Sequence, residues 1–222
     1  GMGWVVPLAE VNEMTSSSHE ALLVGATDQY RLGELLMPHV LSRLVNFSKL
    51  RCAGLVTSDF TGVGGHSVRN YGESVLEMRG TRLKLVHFGG DDLSVGLIEG
   101  YRAAATGEER ERFESLSVIS ERDELDKYVR RRSGQLGDFA YLLAPEGEFY
   151  GAGLSFHAIG LPDPGRLDEA GRTNLLTTLR QAQFVGVKDE NGANFLEAEG
   201  IAVERMPCGL SVLPQVCARQ LR

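Results

Sequence analysis

The chain has 222 residues, of which 42% are hydrophobic and 24% are charged, and its formal net charge is -7 at pH 7. These proportions are typical of a globular protein with a substantial core, and no apolar run reaches the ~20 residues that cross a bilayer. The excess of acidic residues argues against nucleic acid as a partner, because binding nucleic acid requires a basic surface.

Apolar runs and helical spacing organise the first half of the chain. Apolar residues at helical spacing predict a helix over residues 28–47, kinked or split at Pro38. A second helix is predicted over residues 91–106, because acidic residues open it and Gly107 follows it. Short apolar runs predict four strands, over residues 20–26, 51–58, 74–80 and 81–88.

The composition changes abruptly at the charge-rich stretch 107–116. A stretch of this kind favours a solvated helix, and we expect it to mark a junction between two domains. The predicted domains are residues 1–106 and residues 107–222.

The second half alternates between helices and paired strands. Helices are predicted over residues 121–133, with Gly134 past the end, and over residues 167–182. Tight turns predict two hairpins, one joining residues 138–144 to 148–157 and the other joining residues 183–189 to 193–199 through the turn 190–192; a last strand follows at 201–206. The predicted class is α/β of the mixed α+β type, a mixed sheet flanked by helices, with a hairpin–helix–hairpin unit in the C-terminal half.

The glycine-rich stretch "TSDFTGVGGHSVRNYGES", residues 57–74, follows an apolar strand pattern. It matches neither G-x-G-x-x-G, since Ser67 replaces the third glycine, nor the P-loop. Glycine amides and an arginine suit an anion, although the same glycines also suit a tight loop that needs positive φ. The residues predicted to form an anion-binding loop are Gly62, Gly64, Gly65, Ser67 and Arg69.

A metal site is an alternative reading of the same region. Imidazole and carboxylate groups hold zinc and other divalent ions and leave positions open for water. Acidic residues at a helix start are also explained by the helix dipole. The candidate metal ligands are His66, His87, Asp59 and Asp91. They predict a metal-dependent hydrolase with a divalent metal as its candidate cofactor.

Residues 120–205 resemble the diadenylate cyclase domain of the DNA-integrity-scanning type. The segments that carry the resemblance are "GDFAYLLAPEGEFYGAGLSF", "EAGRTNLLTTLRQ" and "AQFVGVKDENGANFLEAE". By position, residues 138–140 fall on the family's Asp-Gly-Ala, residues 151–153 on its small-residue strand, residues 171–174 near its Gly-Thr-Arg-His-Arg helix start and residues 191–192 on its hairpin turn.

The resemblance implies a nucleotide site whose catalytic motifs are degraded. Phe139 replaces the glycine that admits the nucleotide, and Asn174 and Leu175 lie where the family has His-Arg. One arginine, Arg172, is left to face a triphosphate. The nucleotide-binding residues that the resemblance implies are Asp138, Ala140, Gly171, Arg172 and Thr173.

These patterns favour binding of a nucleotide or other phosphorylated small molecule, in a sensory or regulatory role. The alternatives are the metal-dependent hydrolase and a non-catalytic interaction module that forms homo-oligomers. The three cysteines are odd in number, and the N-terminus lacks the basic and long apolar regions of a signal peptide. We therefore expect a cytoplasmic protein without nucleic-acid or membrane partners.

Overall fold

The computed structural model describes residues 20–44, 49–78, 83–89, 92–144, 152–161, 167–208 and 211. The strands within these ranges are β1 (Glu20–Val24), β2 (Lys49–Gly54), β3 (Ser58–Asp59), β4 (Ser67–Asn70), β5 (Leu83–Phe88), β6 (Gly153–Ile159), β7 (Phe184–Val187) and β8 (Glu204–Arg205). The α-helices there are α1 (Leu32–Leu44), α2 (Tyr71–Met78), α3 (Leu97–Ala104), α4 (Gly107–Ile119), α5 (Arg122–Ser133), α6 (Glu169–Arg180) and α7 (Glu190–Ala198).

The strands form one sheet in the order β3-β4-β2-β1-β5-β6-β7-β8. Every neighbouring pair is parallel except β3 and β4, so the sheet is mixed. The chain moves outward from β1 through β2 to β4, returns to the other side of β1 as β5, and continues to β8. The reversal of direction therefore falls between β1 and β5, at the middle of the sheet.

Helices cover both faces of the sheet, which confirms the predicted class. On one face, α1 packs Met37, Val40 and Leu41 against the apolar side of the central strands. The other six helices contribute buried side chains to the larger cluster on the opposite face. Fully burying a leucine or phenylalanine side chain contributes about 1.5–3 kcal/mol, so the two clusters hold the layers together.

The apolar runs identified β1, β2, β5 and β7 correctly, whereas two other predicted strands are helices. Residues 71–78 form α2, so the strand predicted at 74–80 is wrong. Residues 190–198 form α7, so the turn at 190–192 and the strand at 193–199 are wrong. The Asp189 side chain caps α7 by accepting a hydrogen bond from the Gly192 amide at 2.5 Å. The first helix runs through Pro38 without a break.

The hairpin predicted from residues 138–144 and 148–157 is also wrong in its described part. β6 pairs in parallel with β5 on one side and with β7 on the other. Residues 135–143, called the strap below, contain no strand and form a single isolated bridge, between Phe139 and Gly96. Residues 145–151 lie outside the described ranges.

The predicted division into two domains stays a prediction. β5 precedes the expected junction and β6 follows it, and the two strands pair side by side along five residues. The charge-rich stretch 107–116 is helical as expected, within α4. None of the described helices is long and apolar enough to cross a membrane.

Candidate functional site

A small cavity lies at the carboxyl edge of the sheet, between β1 and β5. Residues 24–26 of the β1 end, residues 87–89 of the β5 end, Glu34 of α1 and Tyr141 of the strap line it. Its volume is about 10 Å³, which is room for one water molecule. In α/β sheets, ligands bind outside the carboxyl ends of the strands at the point where the strand order reverses, and the cavity lies at that point.

Asp28 is the buried charged residue beside this cavity. Its Oδ2 atom accepts hydrogen bonds from the backbone amides of Leu55 at 2.6 Å and Val56 at 3.2 Å, just after β2. Its Oδ1 atom accepts a hydrogen bond from the Tyr141 hydroxyl at 3.0 Å. The Gln29 side-chain amide donates to the same hydroxyl at 2.8 Å. Asp28 thus links the end of β1, the end of β2 and the strap.

Burial raises the pKa of Asp28 from its ordinary value of 3.8 to about 6, although the hydrogen bonds from Leu55, Tyr141 and Val56 lower it. A carboxylate with such a pKa changes protonation near neutral pH, which is typical of functional sites and also of structural networks. The site contributes one group that responds to pH in the physiological range.

Gly54 makes room for this carboxylate. A Cβ atom at position 54 would lie 2.6 Å from the Asp28 Cγ atom, closer than real side chains approach one another. The last residue of β2 must therefore be glycine for Asp28 to reach the amides that follow the strand.

The strap is held over the carboxyl edge by buried side chains. Gln135 donates through Nε2 to the carbonyl of Phe139 at 2.8 Å, and its Oε1 accepts from the Gly137 amide at 3.2 Å. The Tyr71 hydroxyl donates to the carbonyl of Ala140 at 3.2 Å. The apolar sequence predicted that this segment pairs with a neighbouring strand. Instead, these side-chain hydrogen bonds hold the strap in place, with Tyr141 next to Asp28.

His87 closes the cavity from β5. Its Nε2 atom accepts a hydrogen bond from the Leu143 amide at 3.0 Å, so the proton of the neutral ring is on Nδ1. Nδ1 is buried and has no hydrogen-bond partner among the described residues. Burial lowers the pKa of His87 to about 3, although the nearby backbone of Ser155 raises it. His87 is therefore neutral at physiological pH.

The glycine-rich loop lies elsewhere. β3 is antiparallel to β4 and carries the chain back from the carboxyl edge, so the loop lies toward the amino edge of the sheet. Its amides are used internally: Gly64 donates to Thr61 at 3.3 Å and Gly65 donates to Phe60 at 2.8 Å. Gly62 is exposed, and Ser67 and Arg69 are exposed residues of β4. The Arg69 guanidinium faces Glu73 and Glu77 at 3.7 and 3.4 Å.

The structure does not bring the predicted metal ligands together. His66 precedes β4 and lies against His39, with ring centroids 4.0 Å apart and the rings tilted by 44°, whereas His87 is in β5. Three strand spacings, about 14 Å, separate β4 from β5. Asp59 accepts hydrogen bonds from the amide and hydroxyl of Thr61, and Asp91 lies outside the described ranges. Within those ranges, no three His, Cys, Asp or Glu residues are grouped to hold a metal ion.

The residues implied by the cyclase resemblance do not form an open hollow. The Asp138 side chain is 76% exposed and pairs with Arg130 at 2.7 Å. Phe139 is buried, and its Cζ atom would lie 3.1 Å from a Cβ atom placed on Gly171. Ala140 is fully buried and Thr173 is exposed. The Gly171 amide donates a hydrogen bond to Asp168 at 2.7 Å, and the Arg172 guanidinium forms an ion pair with Glu199.

No family model matches the chain, and comparisons with curated proteins and with solved structures also gave no match. Of the four strands expected in the two hairpins, β6 and β7 are strands, whereas residues 138–143 belong to the strap and residues 190–198 form α7. The resemblance to diadenylate cyclases therefore stays a prediction without further support.

Sequence reasoning missed Asp28, Gln29 and Tyr141. The available signal was "GATDQY", residues 25–30, a polar group directly after the first buried strand. In parallel sheets this position reaches the carboxyl edge, where ligands bind. The contribution of Tyr141, 113 residues further along the chain, depends on the tertiary fold.

Proposed function

We propose that this protein binds a nucleotide at the carboxyl edge of the sheet, with one ribose hydroxyl in the one-water cavity of the crevice between β1 and β5, as a cytoplasmic sensory or regulatory protein. The observation that carries the proposal is the cavity at the reversal point of the strand order, lined by Glu34 and by Tyr141, whose hydroxyl donates to the buried Asp28 carboxylate. Acidic side chains at carboxyl edges accept hydrogen bonds from ribose hydroxyls in α/β proteins.

The charges around the cavity favour binding of a ligand hydroxyl group over binding of a phosphate group. The described lining includes Glu34 and no lysine or arginine. A phosphate group bound there would need cationic donors, whereas hydroxyl groups suit carboxylate and carbonyl acceptors. The phosphates of a nucleotide would therefore extend outside the crevice.

The loop after β1 also offers an aromatic surface. Tyr30 in this loop is 70% exposed. Nucleic-acid bases stack on exposed aromatic rings for about 1–3 kcal/mol each. A nucleoside therefore fits the combination of acceptor groups and aromatic surface better than an isolated phosphate does.

Calorimetry of the full chain with adenosine, AMP and inorganic phosphate tests this proposal. Adenosine and AMP are expected to bind with similar affinity, and phosphate alone is expected to give no heat. A methyl group on Gly25 meets only the Phe88 carbonyl oxygen, at 3.6 Å, so Gly25→Ala is expected to fold normally and to fill the one-water cavity. We expect this variant to bind adenosine at least ten-fold more weakly.

Gly62→Ala is the matched control, because a methyl group at that position meets nothing within 4 Å. It changes the glycine-rich loop and leaves the crevice intact. The proposal is contradicted if neither adenosine nor AMP binds at millimolar concentration. It is equally contradicted if Gly62→Ala weakens binding and Gly25→Ala does not.

A further inference from the structure

The hydrogen bond between Tyr141 and Asp28 has a direction that depends on protonation. With Asp28 ionised, the tyrosine hydroxyl donates to Oδ1 at 3.0 Å and accepts from Gln29 at 2.8 Å. The other carboxylate oxygen already faces two backbone amides, those of Leu55 and Val56. The hydroxyl proton of Tyr141 is therefore committed to Asp28.

A proton taken up by Asp28 must be placed on Oδ1, because Oδ2 faces two N–H donors. Oδ1–H then donates to the Tyr141 oxygen, which becomes an acceptor for both Asp28 and Gln29. A hydroxyl group has one proton and two acceptor positions, so its own hydrogen must turn away from both neighbours. Tyr141 is one of the residues that line the cavity.

We propose that Asp28 and Tyr141 form a proton-controlled hydrogen-bond donor: one proton taken from solvent by Asp28 turns the Tyr141 hydroxyl hydrogen into the crevice, toward an acceptor atom of the ligand. This inference rests on the proposed function, because the ligand is the nucleoside assigned to the same crevice. The one bond that forms is the O–H bond of protonated Asp28, no electron is transferred, and the proton returns to solvent when Asp28 ionises.

The groups that face the pair are suited to this switch. Burial raises the pKa of Tyr141 and of Tyr71 well above 10, so both hydroxyls keep their protons. His87, from β5, is neutral at physiological pH, and Glu34 lines the cavity from α1. The β2 side presents backbone amides to Asp28. Because the pKa of Asp28 is about 6, the change occurs near neutral pH.

The switch is tested without ligand by labelling the tyrosines with ¹³C at the ζ position. We expect the Tyr141 resonance, assigned by its loss in Tyr141→Phe, to shift with a midpoint near pH 6 in the full chain. In Asp28→Asn the side-chain amide donates permanently to the hydroxyl, so the resonance is expected to stay near its low-pH position. A Tyr141 resonance that is constant between pH 4.5 and 8, or that still titrates in Asp28→Asn, overturns the proposal.

A second arm uses adenosine as the probe. We expect about five-fold tighter binding at pH 5 than at pH 8, the effect of roughly one hydrogen bond, and no such difference in Tyr141→Phe. An affinity of the unmodified protein that does not change with pH overturns the proposal. Absence of binding at both pH values overturns the proposed function instead, and the tyrosine resonance then decides the switch alone.

Discussion

Replacing Gly134 by alanine is expected to lower the free energy of unfolding by about 2–4 kcal/mol. Gly134 ends α5 with a φ of +76°, a conformation that costs an alanine about 1 kcal/mol. Its Cβ atom would also lie 2.6 Å from the Cα atom of Gly72 in the first turn of α2. The two helices would have to move apart, and overpacking of this kind costs about 1–3 kcal/mol.

Gly64→Ala is the control that separates these two contributions. Gly64 has nearly the same φ, +79°, and a methyl group there meets nothing within 4 Å. We expect this variant to lose only about 1 kcal/mol, as measured by urea unfolding at constant pH. Equal losses in the two variants would contradict the close approach of α2 and α5.

The effect of Gly134 extends to the candidate site because Gln135 follows it directly. Gln135 organises the strap through its hydrogen bonds to Phe139 and Gly137. Displacement of α5 would shift this side chain and with it Tyr141. We therefore expect Gly134→Ala to weaken adenosine binding as well as stability.

The second large effect is a change in how stability depends on pH in Asp28→Asn. Burial raises the pKa of Asp28 in the folded protein to about 6, above its ordinary value of 3.8. Between these values the folded state holds a proton that the unfolded state has released, so raising the pH favours unfolding. The contribution is fully present below pH 3.8 and is lost as the pH rises through 6. Its size is about 3 kcal/mol, at about 1.4 kcal/mol per pKa unit.

Two buried histidines oppose this trend in the same pH range. Burial lowers the pKa of His87 to about 3 and that of His157 to about 4. Their unfolded forms take up protons below pH 6.5, so these histidines reduce stability as the pH falls. The pH profile of the unmodified protein alone therefore does not isolate Asp28, whereas the difference from Asp28→Asn does.

The measurement is the free energy of unfolding of both proteins in urea at pH 4, 5, 6 and 7. Relative to Asp28→Asn, the unmodified protein is expected to lose about 2 kcal/mol between pH 4 and pH 7, because the unfolded aspartate is already partly protonated at pH 4. Two parallel profiles would contradict a buried carboxyl group with a raised pKa.

The elements that the sequence predicted well are those with strong local signals. The apolar runs of β1, β2 and β5 are buried on both faces, as expected of central parallel strands. Gly134 terminates α5 in the left-handed conformation, as its position after a charged helix pattern indicated. In these segments, local preference and tertiary structure agree.

The misassigned elements had local signals with two possible meanings. Asn191 and Gly192 are typical of a hairpin turn, yet here they lie in the first turn of α7, after the cap at Asp189. Ala193 and Leu196, buried on one side of that helix, and Gly200 past its end were the competing helix signals. Residues 139–143 are all buried, as in a strand, but the Gln135 side chain donates to the backbone carbonyls of residues 139, 140 and 142.

The candidate site was not predictable because its parts are far apart in sequence. Asp28, Gly54 and Tyr141 meet only after the sheet has formed. Each of them has an ordinary local setting: an acid in a loop, a glycine at a strand end and a tyrosine in an apolar run. The glycine-rich loop was conspicuous in sequence, but its amides stabilise its own turn.

The most direct test of the crevice as a ligand site is to map amide chemical shifts of the ¹⁵N-labelled protein during titration with adenosine. The largest changes are expected at Ala26, Gly89 and Leu143, which border the cavity or bond to its histidine. Changes centred on residues 62–69 or on the first turn of α6, or no changes at millimolar adenosine, would contradict the proposed site.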